Sequence, residues 1–368
     1  MNYSDLAPTY IQAIAPYQPG KPIAELEREL GISGIIKLAS NENPLGPSPL
    51  SIAAMRSAID DVARYPDGNC FELKLALSQR YQVEPARIVL GNGSNDLLEL
   101  AARAFLKPGD KAIYAAHAFA VYALATQATG AKGVVVPATP KYGHDLTAML
   151  KAAVKHKAKI VFIANPNNPT GSFLAGEELL NFMRALPPQI LVVLDEAYNE
   201  YLPHELRYDS VRWLSEFPNL IILRTFSKAY GLAGLRVGYA MANEQVADML
   251  NRVRQPFNVN SMAQVAAVAA LRDEDFVRKT YELNLRGMEQ ITEGLAVMGL
   301  EFIPSFGNFV CFKIANAGLV YQQLLELGVI VRPVANYDMP DFLRVSIGLE
   351  KEIAKFLYML AQTLGDKS

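Results

Sequence analysis

The chain has 368 residues, 51% of them hydrophobic and 20% charged, enough apolar surface for a large core and a length suited to two domains. Its 35 basic and 37 acidic residues leave a net charge of −2, and the longest basic cluster, KAAVKHKAK at 151–159, reads as a solvated helix face instead of a nucleic-acid patch. No apolar run approaches about 18 residues, the four histidines are scattered, the two cysteines form no CxxC, and MNYSDLAPTY lacks the pattern of a signal peptide, so neither a membrane span nor a metal site is expected and a reducing cytoplasm is.

In chain order, PYQPGKPIAELERELG (16–31) predicts a turn and a short helix, and LASNENPLGPSP (38–49) predicts a loop rich in Pro, Gly and Asn. From residue 87, short apolar runs rich in β-branched residues alternate with helical patterns: RIVL (87–90), KAIYA (111–115), GVVVP (133–137), KIVFIA (159–164), ILVVLD (190–195), NLIILRT (219–225) and RVGYAM (236–241). Runs that are apolar throughout predict strands covered on both faces, with the intervening helices as crossovers. The expected fold class is therefore α/β, with a mostly parallel seven-stranded sheet in a large domain. Past about residue 243 the texture changes to long helices, one over roughly 274–298, followed by strand-like GNFVCFKI (307–314), GVIVRPV (328–334) and FLRVSIG (342–348). These predict a smaller α+β domain closed by the helix EKEIAKFLYMLAQTL. The expected division is an N-terminal segment (1–42) packing with the small domain, a large domain (43–255) and a small domain (256–368).

In an open parallel sheet, ligands sit beyond the carboxyl ends of the strands, and four of those ends are unusual. GNGSND (91–96) follows RIVL, and its glycines let backbone N–H groups approach an anion at the start of a helix. It lacks the third glycine of a dinucleotide fingerprint, and Ser94 could equally be a plain N-cap. NPNNPTG (165–171) follows KIVFIA and uses two prolines to fix the aim of its asparagines, or simply to turn the chain. DEAY places Asp195 at the mouth of an apolar strand, as a cap, as a core ion partner, or as the partner of a buried cationic ring nitrogen. Lys228 follows NLIILRT, among Thr225 and Ser227 and eight positions before Arg236. Two hydroxyls and a guanidinium suit a dianion. A phosphate site, a desolvated lysine and a strand-end aspartate on one sheet edge ask for a phosphorylated pyridine aldehyde, pyridoxal phosphate, bound covalently by the lysine.

The combination of GNGSND, NPNNPTG, DEAY and TFSKAYGLAGLRVGY resembles the fold type I pyridoxal-phosphate aminotransferases over roughly residues 35–350. PYQPGKP, SNENPLGPSP, RYPDG and RQPFNVN are similar to segments of the branch that acts on histidinol phosphate. This resemblance implies that Lys228 binds the cofactor and later shuttles the proton, that Asp195 pairs with the ring nitrogen, and that Tyr198 and Asn168 hydrogen-bond the ring hydroxyl. It gives the phosphate to Ser94, Asn95, Ser227 and Arg236, with Thr225 assisting, and the ring face to Phe119. Tyr65 matches a tyrosine that reaches the cofactor phosphate of a neighbouring subunit, which implies a homodimer with shared sites. Arg344 matches the residue that grips the substrate's anionic end, with Arg332, Tyr17 and Asn43 around it. That end would be the phosphate of a phosphorylated amino alcohol in one half-reaction and a carboxylate of glutamate or 2-oxoglutarate in the other. Asn95 departs from the aspartate common in relatives. Ala116, His117 and Ala118 replace a Pro-Thr pair, which leaves His117 either at the pocket or packed as a neutral imidazole.

Four other readings remain at this point. An aromatic amino acid aminotransferase would share every motif, although Arg332 together with Tyr17 favours a phosphorylated substrate, since two arginines for one terminal carboxylate would be generous. Decarboxylation or β-elimination would use the same cofactor cage. A cofactor-binding regulator would need an extra nucleic-acid domain for which there is no spare length. A Rossmann oxidoreductase would leave Lys228 without a purpose.

Overall fold

The computed structural model describes residues 2–16 and 18–365. Tyr17 therefore lies outside the described residues. The strands are β1 (Ile36–Lys37), β2 (Ile88–Gly91), β3 (Lys111–Ala115), β4 (Lys132–Val136), β5 (Ile160–Ala164), β6 (Leu191–Asp195), β7 (Leu220–Thr225), β8 (Gly238–Ala242), β9 (Phe302–Ile303), β10 (Phe309–Lys313), β11 (Val329–Ile330), β12 (Arg332–Pro333) and β13 (Phe342–Ser346).

The seven runs expected as strands form one sheet in the order β2-β8-β7-β6-β5-β3-β4. Only β8 runs against its neighbours, pairing antiparallel with both β2 and β7. Every residue of β5 and β7 is buried, because helices cover both faces, and this is why these strands read as unbroken apolar runs. Two apolar clusters line the two faces, one around Leu90, Ile163 and Ile222, the other around Val89, Phe162 and Ile221. The alternation along each strand assigns neighbours to opposite sides.

The smaller unit carries the antiparallel sheet β12-β13-β10-β9. The run GVIVRPV is split: β11 pairs with β1 and β12 pairs with β13, so one segment serves two sheets. Pro333 lacks the N–H needed to extend its ladder. β1 and β9 were absent from the sequence reading, since two-residue strands are too short to show a period. Leu26, Ile35 and Ala39 pack with Leu325 and Ile330.

The Ser261–Arg272 helix packs on the Pro49–Ala58 and Phe71–Tyr81 helices. Its Ala263, Ala266, Ala267 and Ala270 join the core of the large sheet. Packing of the large unit thus continues past residue 255. The following helix, Glu274–Val297, buries Phe276, Thr280, Asn284, Gly287, Ile291 and Leu295, three or four residues apart as one helical face requires. Its Thr280 Oγ1 accepts from Asn43 Nδ2 at 3.0 Å, and its Asn284 Nδ2 donates to Gly307 O at 3.3 Å.

Candidate active site

The carboxyl ends of β2, β5, β6 and β7 open on one cleft, closed from the other side by the 39–41 loop and by β12 and β13. Ser94, Asn95, Phe119, Asn168, Asp195, Tyr198, Thr225, Ser227, Lys228, Arg236, Arg332 and Arg344 all line it. Each comes from a segment singled out in the sequence.

At the β2 end, Gly93 is the N-cap of the Ser94–Phe105 helix with φ 84° and no side-chain cap. Ser94 is therefore inside the first turn, and the plain N-cap reading does not hold. A Cβ on Gly93 would collide with the Arg236 guanidinium, and one on Gly238 would lie 2.6 Å from Ser94 N. Both positions are glycine because the backbone and the arginine converge there. Arg236 Nη1 donates to Ser227 Oγ at 3.3 Å, and Ser227 N donates to Thr225 Oγ1 at 3.1 Å. First-turn N–H groups, a hydroxyl and a guanidinium thus surround a small concavity at a positive helix end.

Lys228 Nζ donates to Ser40 O at 3.0 Å and lies 5.8 Å from the centre of the Tyr198 ring. Burial, with the charge of Arg344 next, lowers its pKa to about 7, so near neutrality much of it is an uncharged nucleophile. Asp195 Oδ2 accepts from Tyr122 OH at 3.0 Å and Oδ1 accepts from Ala197 N at 3.2 Å. Burial raises its pKa to about 6 against those two donors. A cation placed beside it would lower that value again. Tyr198 accepts from Asn41 Nδ2 at 2.9 Å, and burial raises the phenol to about 12, against Arg344 and that hydrogen bond. It stays protonated at neutral pH.

Arg344 donates to Asn168 Oδ1 and, at 2.7 Å, to Ala39 O. Its Nε has no hydrogen-bond partner among the described residues. Arg332 is its direct cross-strand partner on β12, donating to Gln18 O at 2.7 Å. Both are buried. Like charges set opposite each other in a sheet repel, so this pair is arranged for an anion between or before them.

The remaining expectations lie elsewhere. Asn43 is buried behind the cleft and donates to Ala229 O and Thr280 Oγ1. Tyr65 is 83% exposed and stacks on Phe257 at 4.7 Å, away from this chain's own cleft. His117 is held outside the cleft lining, with Nδ1 against Tyr337 O at 2.5 Å and its ring 5.9 Å from that of Tyr142.

Asn41, Tyr122 and Tyr337 line the cleft and were missed in the sequence. Tyr122 follows Phe119 by three positions, which on a helix shares its face, and Asn41 shares the loop of Asn43, so both had a signal. Tyr337 had none. Among the described residues there is no group of metal-binding side chains and no helix long and apolar enough to cross a membrane.

The family model described as aminotransferase class I and II matches residues 33–359. The histidinol-phosphate aminotransferase of Methylobacillus flagellatus is 63% identical over 362 residues, covering 98% of this chain and 98% of that protein. Histidinol-phosphate aminotransferase 2 of Nitrosospira multiformis is 59% identical, covering 99% and 93%. The crystal structure of histidinol-phosphate aminotransferase from Sinorhizobium meliloti in complex with pyridoxal-5'-phosphate matches with a TM-score of 0.90 at 30% identity, over 98% of this chain and 97% of that one. The chain belongs to the class I and II aminotransferases of fold type I, in the group of histidinol-phosphate aminotransferases.

Proposed function

We propose that this chain moves an amino group between L-histidinol phosphate and 2-oxoglutarate, giving imidazole-acetol phosphate and L-glutamate, a step of histidine biosynthesis that uses pyridoxal phosphate. The cleft fits that cofactor by its donor set: Arg236 and the Ser94 N–H drawn close by Gly93 and Gly238, a buried amine of pKa about 7, and a buried carboxylate with room for one more donor. Ser94, Asn95, Ser227 and Arg236 would hold the phosphate, Phe119 would cover one ring face, and Tyr198 with Asn168 would take the ring hydroxyl. When bound, the cofactor supplies an electron sink that lets the C–H bond at the amine-bearing carbon break.

The residues of this chain do the rest. Lys228 would anchor the cofactor covalently and, as a free amine, would carry the proton as a general base, for which an amine of pKa about 7 is suited. Asp195 keeps a proton on the ring nitrogen by lying beside it as a carboxylate in a low-dielectric setting. Arg332 and Arg344 bind the anionic end, and burial makes their hydrogen bonds strong.

The observation that carries this substrate is the buried cross-strand pair Arg332–Arg344. Two guanidiniums match a phosphate dianion better than a single carboxylate. Turnover of histidinol phosphate and of phenylalanine, each with 2-oxoglutarate, tests it: the phosphorylated amine should be preferred, and a preference for phenylalanine would transfer the chain to the aromatic amino acid reading.

The exposed Tyr65–Phe257 stack supports a homodimer in which Tyr65 serves the second subunit's site. Cys70 and Cys311 are both free and buried, which suits the reducing cytoplasm proposed as its setting.

A further inference from the structure

Asp195 and Thr225 line the cleft, and their chain neighbours Glu196 and Arg224 form a buried pair. Arg224 Nε and Nη2 donate to Glu196 Oε2 at 2.9 and 2.8 Å, with side chains only 8% and 0% exposed. Arg224 Nη1 also donates to Tyr81 OH at 3.2 Å, and that hydroxyl lies 2.7 Å from Tyr239 OH. On the other flank, the Tyr208 hydroxyl accepts from Asn165 Nδ2 at 2.8 Å, while Glu196 Oε1 has no hydrogen-bond partner among the described residues. Asn165 opens the turn that presents Asn168, and its amide ties that turn to Leu174 in both directions, at 2.9 and 2.8 Å.

A buried ion pair is a weak source of stability, because desolvation offsets its attraction. Its place directly behind the strand-end carboxylate of the site points to another role. We propose that the Glu196–Arg224 pair is a positioning element of the reaction: it fixes the strand end carrying Asp195 while cancelling a negative charge next to Asp195. The inference rests on the proposed role of Asp195 toward the cofactor. Charge cancellation follows from adjacency, since an unpaired carboxylate one residue away would hold a proton on Asp195, and an unpaired guanidinium would do the reverse. The titratable groups facing the pair from the elements packed on it are Glu200 and the phenols Tyr81, Tyr208 and Tyr239, with Arg80 beyond Glu200. Those facing Asp195 are Lys228 and the phenols Tyr122 and Tyr198. All of these stay constant across the variants below.

The test uses cofactor-loaded wild type, Glu196→Gln, the double variant Glu196→Gln with Arg224→Met, and Glu196→Asp. It reads the pH midpoint of the visible absorbance band of the bound cofactor, together with kcat and KM. Glu196→Gln leaves a guanidinium uncompensated and should move the midpoint down by about half a pH unit or more. The double variant should return it to the wild-type value, and Glu196→Asp should keep that value. All three should lose roughly tenfold or more in kcat, because the end of β6 is no longer held, with little change in KM. Identical midpoints in all four proteins, or wild-type kcat in the double variant, would overturn the proposal. A wild type with no titrating visible band would overturn the cofactor reading itself, a separate and recognisable failure.

Discussion

At the residue scale, Lys228 and Asp195 carry opposite displacements from their ordinary behaviour, and both trace first to burial. The same desolvation that makes the lysine a usable amine makes the aspartate ready for a cationic partner. Lys228→Ala removes anchor and base together, so steady-state turnover should fall by more than the ~10,000-fold upper range of acid–base catalysis alone. Asp195→Asn should still bind the cofactor, seen as a visible band, and turn over roughly 100-fold or more slowly. The lysine also predicts a pH effect on the cofactor-free chain. Its amine protonates at 10.5 when unfolded and at about 7 when folded, so between those values unfolding takes up a proton and stability must rise with pH. Thermal melts from pH 7 to 10 should show that rise, and Lys228→Met should flatten it. Lys228 and Asp195 were legible because each stands at the end of an apolar run where a charge is out of place. Tyr122 and Asn41 had only a positional signal, one turn from Phe119 and two residues from Asn43, since a tyrosine on a helix face and an asparagine in a loop otherwise look like ordinary packing.

At the scale of elements, the phosphate end depends on how closely β8 approaches the Ser94–Phe105 helix. Gly238→Ala would place a Cβ 2.6 Å from Ser94 N and 3.0 Å from Arg224 O. Backbone must move on both sides, so cofactor affinity should drop by about tenfold or more, equivalent to about 1.4 kcal/mol, as equilibrium dialysis would show. The long helix makes a control far from the chemistry. Asp273 caps it by accepting from Phe276 N at 3.2 Å, so Asp273→Ala should cost about 1 kcal/mol of stability in a melt while leaving kcat unchanged. The seven large strands were readable from composition because burial on both faces forces apolar, β-branched runs. The order of those strands, and the antiparallel placement of β8, left no mark in any single run. The division of GVIVRPV between β11 and β12 was equally hidden, since register is set by partners distant in the chain.

At the scale of the whole molecule, the cleft is built by segments from residue 20 to residue 344, so neither unit carries the chemistry alone. The proposed homodimer would extend this to a second copy through the exposed Tyr65. Mixing Tyr65→Ala with Lys228→Ala subunits should restore activity above either parent, because a mixed dimer assembles one complete site; no recovery would confine Tyr65 to its own chain. All of these roles converge on a covalent link between pyridoxal phosphate and one nitrogen. Borohydride reduction of the loaded protein, followed by peptide mass spectrometry, tests that link directly. The account predicts the reduced pyridoxyl group on Lys228 and on no other lysine; a label elsewhere, or none, would contradict it.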